Sequence, residues 1–342
     1  MILITGACGR IGMNAAKLFS KQYPVVGFDV FIPKEKIPNV EFFIVDLSSD
    51  QSVQEGFAKV KARFGNHIVS IIHLAAYYNF AGGHWDQYET ITINGTRRIL
   101  ESARSFEVEQ FIFSSTMLIY KPSVPGKKIH LNSPIEPKWE YPLSKVKTEQ
   151  MIHEKRGSIP TVILRIAGVY DDDCHSIPIS QQIQRIYEKQ LESHLFSGDL
   201  SHGAAYVHMH DLIDALALCV EKRKTLPKES VFIISEAETL SYKEMQNQIG
   251  QLLFGKPWKT WSVPKWFAKL GAWAQNLLPF KKKSFIKPWM IDIADDHYEM
   301  DISDAEKGLG WRPQRSVRGT LPKIIQRLKS DPAQFYRDNN LQ

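Results

Sequence analysis

Short apolar runs recur along the chain, separated by longer stretches in which apolar residues return every three or four positions. Seven runs, Met1–Ile4, Val25–Phe28, Phe42–Val45, Val69–Leu74, Phe111–Phe113, Val162–Leu164 and Val231–Ile234, predict strands. The first six are rich in β-branched or aromatic residues and bounded by turn or polar residues. Between them the period predicts helices over Ile11–Lys21, Gln51–Phe64, Gln87–Phe106 and Tyr141–Lys155. Strand–helix alternation of this kind makes the fold class α/β, a doubly wound parallel sheet whose ligand site lies outside the carboxyl ends of the strands. After about Ile166 the alternation loosens, and Ser180–Leu200 and Leu240–Met300 read as a smaller, mostly helical domain. The expected division assigns 1–165, with returning segments around 205–235, to the sheet domain, and 166–204 with 236–330 to the second domain.

With 342 residues, 43% of them hydrophobic and 23% charged, the chain can bury a sizeable core, which excludes a disordered or collagen-like protein. Cys8, Cys174 and Cys219 are widely spaced with no CxxC, so neither a disulfide framework nor a metal knuckle is expected, and a reducing, cytoplasmic setting is. No basic segment precedes an apolar stretch at the start, and no run of about 18 uncharged apolar residues occurs, so neither a cleaved signal nor a spanning helix is expected. The 43 Lys and Arg against 37 Asp and Glu leave a net charge of +6. That bias suits an anionic small molecule or surface but comes without a nucleic-acid-binding module.

The first chemical signal is Thr5-Gly6-Ala7-Cys8-Gly9-Arg10-Ile11-Gly12, directly after the first strand and opening the first helix. A tight turn needs Gly6, close approach of the backbone to a pyrophosphate needs Gly9, and close helix–strand packing needs Gly12, with the helix N-terminus facing the anion. Asp29 ends the second strand, where a carboxylate can accept both hydroxyls of an adenosine ribose and would repel a 2′-phosphate, so the expected cofactor is NAD. Asp46-Leu47, after the third strand, could contact the adenine, or Asp46 could be a turn residue.

These pieces, with His73-Leu74-Ala75-Ala76, Gly95-Thr96, Phe113-Ser114-Ser115-Thr116, Tyr141-Pro142-Leu143-Ser144-Lys145, Leu164-Arg165, Val169-Tyr170, Tyr206-Val207-His208, Asp211 and Leu309-Gly310-Trp311-Arg312-Pro313, run over nearly the whole chain. In this order they resemble the extended short-chain dehydrogenase/reductase family, the NAD-dependent epimerase/dehydratase group. The resemblance implies a Rossmann domain, a C-terminal substrate domain and a homodimer. It implies cofactor contacts from Gly6, Cys8, Gly9, Arg10, Ile11, Gly12, Asp29, Asp46, Leu47, Leu74, Ala75 and Ala76, the small residues after His73 letting the cofactor lie close to the backbone. His73 itself reads as a hydrogen-bonded structural residue.

In Tyr141-x-x-x-Lys145 one helical turn puts both side chains on one face, about 6 Å apart along the axis, so the ammonium can sit beside the phenol and the cofactor ribose. A free phenol is a poor base at neutral pH and a nearby cation favours its anion, which would let Tyr141 take the proton of an alcohol. By resemblance Thr116 orients the substrate oxygen and shares its proton, while Tyr120 is structural. The expected catalytic residues are therefore Thr116, Tyr141 and Lys145, the last two also touching the cofactor. Sugar dehydratases of the family follow the threonine with Asp-Glu; Met117-Leu118 stand here and can move no proton, which argues against dehydration. Nucleotide-sugar enzymes of the family usually hold the diphosphate with two arginines, and an ungapped match puts Ala204 and Ile291 in those places.

Tyr170-Asp171-Asp172-Asp173-Cys174-His175 replaces the family's usual Tyr-Gly-Pro. Adjacent residues rarely converge on one ion, so a solvated acidic turn is expected there and a metal is not. Candidate substrate contacts are Tyr77, Cys174 and His175. From Trp258 to Trp289 the chain holds Trp258, Trp261, Trp266, Phe267, Trp273, Phe280, Phe285 and Trp289, with Trp266, Leu270, Trp273 and Leu277 on one stripe and Lys281–Lys283 beyond Pro279. Such a helix either packs on the substrate domain, lines a hydrophobic entrance, or makes a peripheral contact with an anionic membrane.

The expected activity is that of an NAD-dependent oxidoreductase or epimerase acting on a secondary alcohol or ketone, with a sugar derivative as the substrate the resemblance implies. The missing arginines and the aromatic C-terminal part leave open a dehydrogenase of a hydrophobic, hydroxysteroid- or isoprenoid-like alcohol. A non-catalytic NAD-binding sensor or partner protein is a third reading, against which the intact Tyr141–Lys145 pair argues.

Overall fold

The computed structural model describes residues 1–79, 84–266 and 288–341. Seven strands, β1 (Ile2–Thr5), β2 (Val25–Asp29), β3 (Val40–Ile44), β4 (Ser70–His73), β5 (Phe111–Thr116), β6 (Thr161–Ile166) and β7 (Glu229–Ile234), form one sheet in the order β7-β6-β5-β4-β1-β2-β3. Every neighbouring pair is parallel. The winding reverses between β1 and β4, where Thr5 and His73 are register partners at the carboxyl ends. A doubly wound sheet leaves its ligand crevice at that point.

The longer helices are α1 (Arg10–Phe19), α2 (Asp50–Phe64), α3 (Asn94–Ala103), α4 (Glu140–Lys155), α5 (Ile177–Tyr187), α6 (Met209–Glu221), α7 (Tyr242–Phe254), α8 (Val317–Ser330) and α9 (Pro332–Asp338). Strand β1 shows why the apolar runs are continuous: both sheet faces are covered. Ile2 and Ile4 share a core with Ala15, Ala16 and Phe19 of α1 and Leu212 and Leu216 of α6. Leu3, pointing the other way, meets Val53, Phe57 and Val60 of α2, Ile99 and Leu100 of α3 and Ile152 of α4.

Two expectations from the periodicity need correction. The strands expected at Phe111–Phe113 and Val162–Leu164 continue to Thr116 and Ile166, because ladder pairing uses the backbone and tolerates Ser114, Ser115 and Arg165. The helix expected over Gln87–Phe106 is instead a turn at Trp85–Gln87, a π-helical stretch at Tyr88–Ile93 and then α3. In that wide stretch the Tyr88 ring is wholly buried and the Thr92 hydroxyl accepts the Tyr77 N–H at 3.0 Å.

The C-terminal part packs α5, α7, α8 and α9 around Ile183, Ile249, Leu321 and Phe335. It also holds two pairs of short parallel strands, Gly168–Tyr170 with Tyr206–His208 and Leu195–Ser197 with Trp261–Val263. Trp311 is buried and its Nε1 donates to the Asp211 carbonyl at 2.8 Å, while the Asp211 carboxylate accepts the Arg315 N–H at 3.0 Å. Two motif pieces far apart in the chain thus belong to one joint. Among the described residues no helix is long and apolar enough to cross a membrane. Trp258 is buried against Ser193, whereas Trp261 and Trp266 are exposed. Phe267, Leu270, Trp273, Leu277, Phe280, Phe285 and Lys281–Lys283 lie outside the described residues.

Candidate active site

Steric exclusion builds the turn that opens α1. Gly6 sits at φ +66, and a Cβ there would lie 2.8 Å from the Ala75 nitrogen. A Cβ on Gly12 would lie 2.3 Å from the Gly6 carbonyl oxygen. On Gly9 a Cβ would meet only that oxygen, at 3.3 Å, so the remaining space over this backbone is open to a ligand. The turn is tied to β2: the Cys8 N–H donates to one oxygen of Asp29 at 2.9 Å and the Val30 N–H to the other at 2.8 Å. Each carboxylate oxygen keeps a lone pair for a ribose hydroxyl. Burial, then the Asp29 carboxylate, push the Cys8 thiol up to about 11, which keeps it protonated.

A cavity of about 530 Å³ runs from Gly6, Gly9, Arg10, Ile11 and Gly12 past Leu74 and Tyr78 to His175 and Asn339. Open backbone at a helix N-terminus, with Asp29 tied to the turn, fits a dinucleotide pyrophosphate and its adenosine ribose. Below it the Ala75 N–H donates to the Thr5 hydroxyl at 3.3 Å, and Thr5 is bonded to His73 Nδ1 at 2.7 Å. His73 Nε2 meets the Thr96 hydroxyl at 2.8 Å, whose proton goes to the Thr92 carbonyl at 2.6 Å. Nε2 therefore carries the ring hydrogen. Burial, with the Lys145 charge, holds His73 down to about 3, so it stays neutral and structural. Ala76 follows, half-buried. Asp46 accepts the Ser48 N–H at 2.8 Å, a turn bond of its own, and Leu47 is buried against Gly95.

The first turns of α4 bring Tyr141 and Lys145 to the end of β5. Lys145 is 2% exposed, its Nζ donating to the Ser114 carbonyl at 2.6 Å and lying 4.7 Å from the Phe113 ring centre and 5.7 Å from that of Tyr141. Burial lowers its ammonium to about 7, and Glu149 pulls the other way. The Tyr141 phenol is raised above its ordinary value by burial and by the neighbouring phenols of Tyr78 and Tyr88, while the nearby Thr116 hydroxyl opposes this. The Thr116 oxygen accepts the Leu118 N–H at 3.3 Å, which leaves its own proton for the phenol.

Tyr78, Trp139 and Glu149, which sequence reasoning did not name, complete this arrangement. Tyr78 stands edge-on to Tyr141 at 4.9 Å, Trp139 lies at 5.4 Å, and Trp289 packs on Trp139 at 5.6 Å. Glu149 accepts from Ser115 at 2.5 Å and takes Arg165 on both oxygens, at 3.2 and 2.7 Å, while Arg165 donates to the Tyr120 hydroxyl at 2.6 Å. This network pins α4 to β5 and β6 and so fixes the rotation that presents Tyr141. The signal was available: Glu149 is one turn beyond Lys145 on the same face.

A second cavity, also about 530 Å³, begins at Met117, Leu118 and Trp139 and extends along Ala204, Tyr206, Met290 and Ile291. Ile177 lines both cavities. Among the described lining residues the Lys and Arg side chains are Lys138, paired with Asp296 at 2.8 Å, and Arg185, and they face Glu192, Asp295 and Asp296.

The three candidate substrate contacts are dispersed. The Tyr77 ring packs on Tyr88 at 4.8 Å, the place beside Tyr141 being taken by Tyr78. Cys174 is wholly buried in the C-terminal core, and its thiol is pushed up to about 12 by burial, which accounts for it as a packing residue. His175 lines the glycine-turn cavity. The acidic turn is paired, where a solvated turn was expected: Asp171 is hydrogen-bonded to His175 at 2.6 Å, and Asp172 and Asp173 form ion pairs with Lys323 at 2.6 Å and Arg327 at 2.7 Å. Ligand atoms of Asp171, Asp173 and His175 come within 4.8 Å of one another, each already holding such a partner.

Comparison with known proteins agrees with this geometry. The chain is 23% identical to UDP-glucose 4-epimerase of Vibrio cholerae over 333 residues, covering 95% of this chain and 94% of that protein. It is also 23% identical to human 3 beta-hydroxysteroid dehydrogenase type 7 over 357 residues, covering 94% of each. The crystal structure of the Bordetella bronchiseptica enzyme WbmG in complex with NAD and UDP superposes with a TM-score of 0.72 at 20% identity, over 96% of this chain and 94% of that one. The model of the NAD dependent epimerase/dehydratase family matches residues 2–235, more than half of the chain. With the glycine turn, the doubly wound sheet and that match in agreement, this chain belongs to the NAD dependent epimerase/dehydratase family and is an NAD-using enzyme.

Proposed function

We propose that Tyr141, Thr116 and Lys145 interconvert a secondary alcohol and its ketone. One observation carries the reading: the Tyr141 ring contacts both Tyr78, which lines the glycine-turn cavity, and Trp139, which lines the second cavity. A group with a proton to give or take is thus set where two bound molecules would meet. Bound NAD supplies the acceptor or donor of the carbinol hydrogen as a hydride equivalent. The chain's own residues do the rest. Thr116 hydrogen-bonds the substrate oxygen and the phenol, and Tyr141 removes or returns the hydroxyl proton. Lys145, anchored on Ser114, lies beside them. In the free protein Tyr141 is held protonated by burial, and a positive charge bound beside it would draw it back toward ionisation. Met117 and Leu118 offer no proton to an elimination, so oxidation, reduction or epimerisation is the outcome expected.

For the substrate, the names of the relatives support a sugar derivative. A specific observation favours a second reading, a hydrophobic alcohol of hydroxysteroid or isoprenoid kind. Ala204 and Ile291, where arginines would hold a diphosphate, both line the second cavity, and carboxylates outnumber Lys and Arg among its described lining residues. Incubating the protein and NAD with UDP-glucose and with a 3β-hydroxysteroid separates the two. Nuclear magnetic resonance reads an epimer and absorbance reads NADH. No product from either, with NAD bound, would support a non-catalytic NAD-binding role instead.

We further propose a cytoplasmic homodimer. The three free cysteines support the compartment and the family resemblance supports the assembly. A peripheral membrane contact through 258–289 is supported by exposed Trp261 and Trp266. Flotation with anionic liposomes tests the contact, and no lipid binding at low salt would remove it.

A further inference from the structure

The groove of the glycine turn has a second bank that the turn itself does not require. Asp171 and Cys174 exchange backbone hydrogen bonds at 3.2 and 3.0 Å. Just beyond, Cys174 at φ +80 and His175 at φ +40 both hold the left-handed backbone that residues other than glycine rarely adopt. The result is that consecutive side chains part company: Cys174 goes into the core and His175 to the cavity wall. His175 Nδ1 is bonded to Asp171 at 2.6 Å, which leaves Nε2 as the ring's remaining polar atom.

The end of α9 stands beside this turn. Asn339 lines the same cavity, is 6% exposed, and donates from Nδ2 to the carbonyls of Asp173 and Phe335, both at 3.0 Å. Two carbonyl partners fix which side-chain atom is nitrogen, and the other, Oδ1, is buried without a hydrogen-bond partner. Arg327 ties Asp173 to Asp338 at 2.7 and 3.0 Å. From the opposite bank Arg10, inside the glycine motif, donates to the Asp338 carbonyl at 3.3 Å.

We propose that His175, oriented by Asp171, and Asn339 are cofactor-binding residues that hold the nicotinamide-side phosphate and ribose of NAD across the groove from Gly9. Asn339 Oδ1 is an acceptor in need of a donor, and a ribose hydroxyl is one. His175 presents Nε2 to the phosphates and the sugar. The C-terminal helix thereby becomes part of the dinucleotide site. This rests on NAD being the cofactor, and the test keeps the two claims apart.

Full-length protein is titrated calorimetrically with NADH, ADP-ribose and AMP, as wild type, His175→Ala, His175→Gln and Asn339→Ala. His175→Ala and Asn339→Ala should each weaken NADH and ADP-ribose about tenfold or more, the loss of one hydrogen bond to a charged or buried partner, and leave AMP within about twofold. His175→Gln, which keeps a polar tip, should recover most of the NADH affinity. NADH binding unchanged in both alanine variants would overturn the proposal. So would equal weakening of AMP and ADP-ribose, because that pattern reports a disturbed glycine turn. Failure of the wild type to bind NADH would overturn the cofactor reading itself.

Discussion

Lys145 Nζ donates to the carbonyl oxygen of Ser114 at 2.6 Å, so the ammonium at the heart of the site is fastened to the last residues of β5. The lysine is thereby buried, and its position is set by the sheet as much as by its own helix.

From that anchoring and the neighbouring phenol, Tyr141→Phe should lower turnover by about 10²–10⁴-fold, the usual worth of a positioned proton-transfer group, with NADH affinity nearly unchanged. Lys145→Met should lower both. Steady-state rates on an identified substrate and NADH fluorescence titration read the two effects. Tyr141→Phe retaining more than a few per cent of activity would require another base.

Asp29 accepts two backbone N–H groups and keeps lone pairs toward the groove. A 2′-phosphate there would meet a carboxylate, so NADH should bind more tightly than NADPH by about 1–3 kcal/mol, roughly five- to 150-fold. Fluorescence titration with both reduced cofactors decides it, equal affinities going against the assignment.

Gly9 and Gly12 should fail in different ways. Gly12→Ala places a Cβ 2.3 Å from the Gly6 oxygen, backbone against backbone, and should lower the melting temperature through a loss of about 1–3 kcal/mol. Gly9→Ala, with a 3.3 Å approach, should fold nearly as well yet bind NADH poorly, since its methyl group enters the space of the phosphates. Calorimetric melting with and without NADH separates stability from affinity, and parallel losses in both variants would refute the division.

Glu236 is 4% exposed and accepts the Val317 N–H at 2.9 Å. Burial pushes its carboxyl from 4.5 to about 7, against the bond from Val317. The folded form keeps this proton where the unfolded chain has lost it. The group's stabilisation is therefore complete below about pH 4.5 and falls as pH rises toward and past 7, by at most about 3 kcal/mol. Glu236→Gln should flatten that decline. Melting curves from about pH 5 to pH 8 for both proteins check this, and parallel curves would show that Glu236 does not titrate in the window.

The strands, α1, α2 and α4 were legible because their signals are local: apolar runs between turns, glycines at fixed spacing, and a tyrosine one turn before a lysine. The broken helix at Tyr88–Ile93 was not, because apolar periodicity over such a span reads the same whether a turn closes with a normal or a widened hydrogen bond. That Tyr78, and not the expected Tyr77, lies beside Tyr141 was illegible for a related reason. Adjacent residues on an irregular segment carry no pattern that says which one turns toward Tyr141, and the Tyr77 bond to Thr92 settles it only once the π-helical stretch is in place.

By itself the amino-acid sequence determined the doubly wound sheet, the glycine turn with Asp29, and the pairing of Tyr141 with Lys145 on one helical face, because each depends on residues within a few positions of one another and on the periods of strand and helix. Only the tertiary structure decided that Glu149 locks the rotation of α4 through Arg165, that Cys174 belongs to the core while His175 lines the glycine-turn cavity, and that Asn339 lines the same cavity from the far end of the chain. Those relations join segments many residues apart. Their partners are chosen by packing and by the need to satisfy buried polar groups, and no local spacing encodes either.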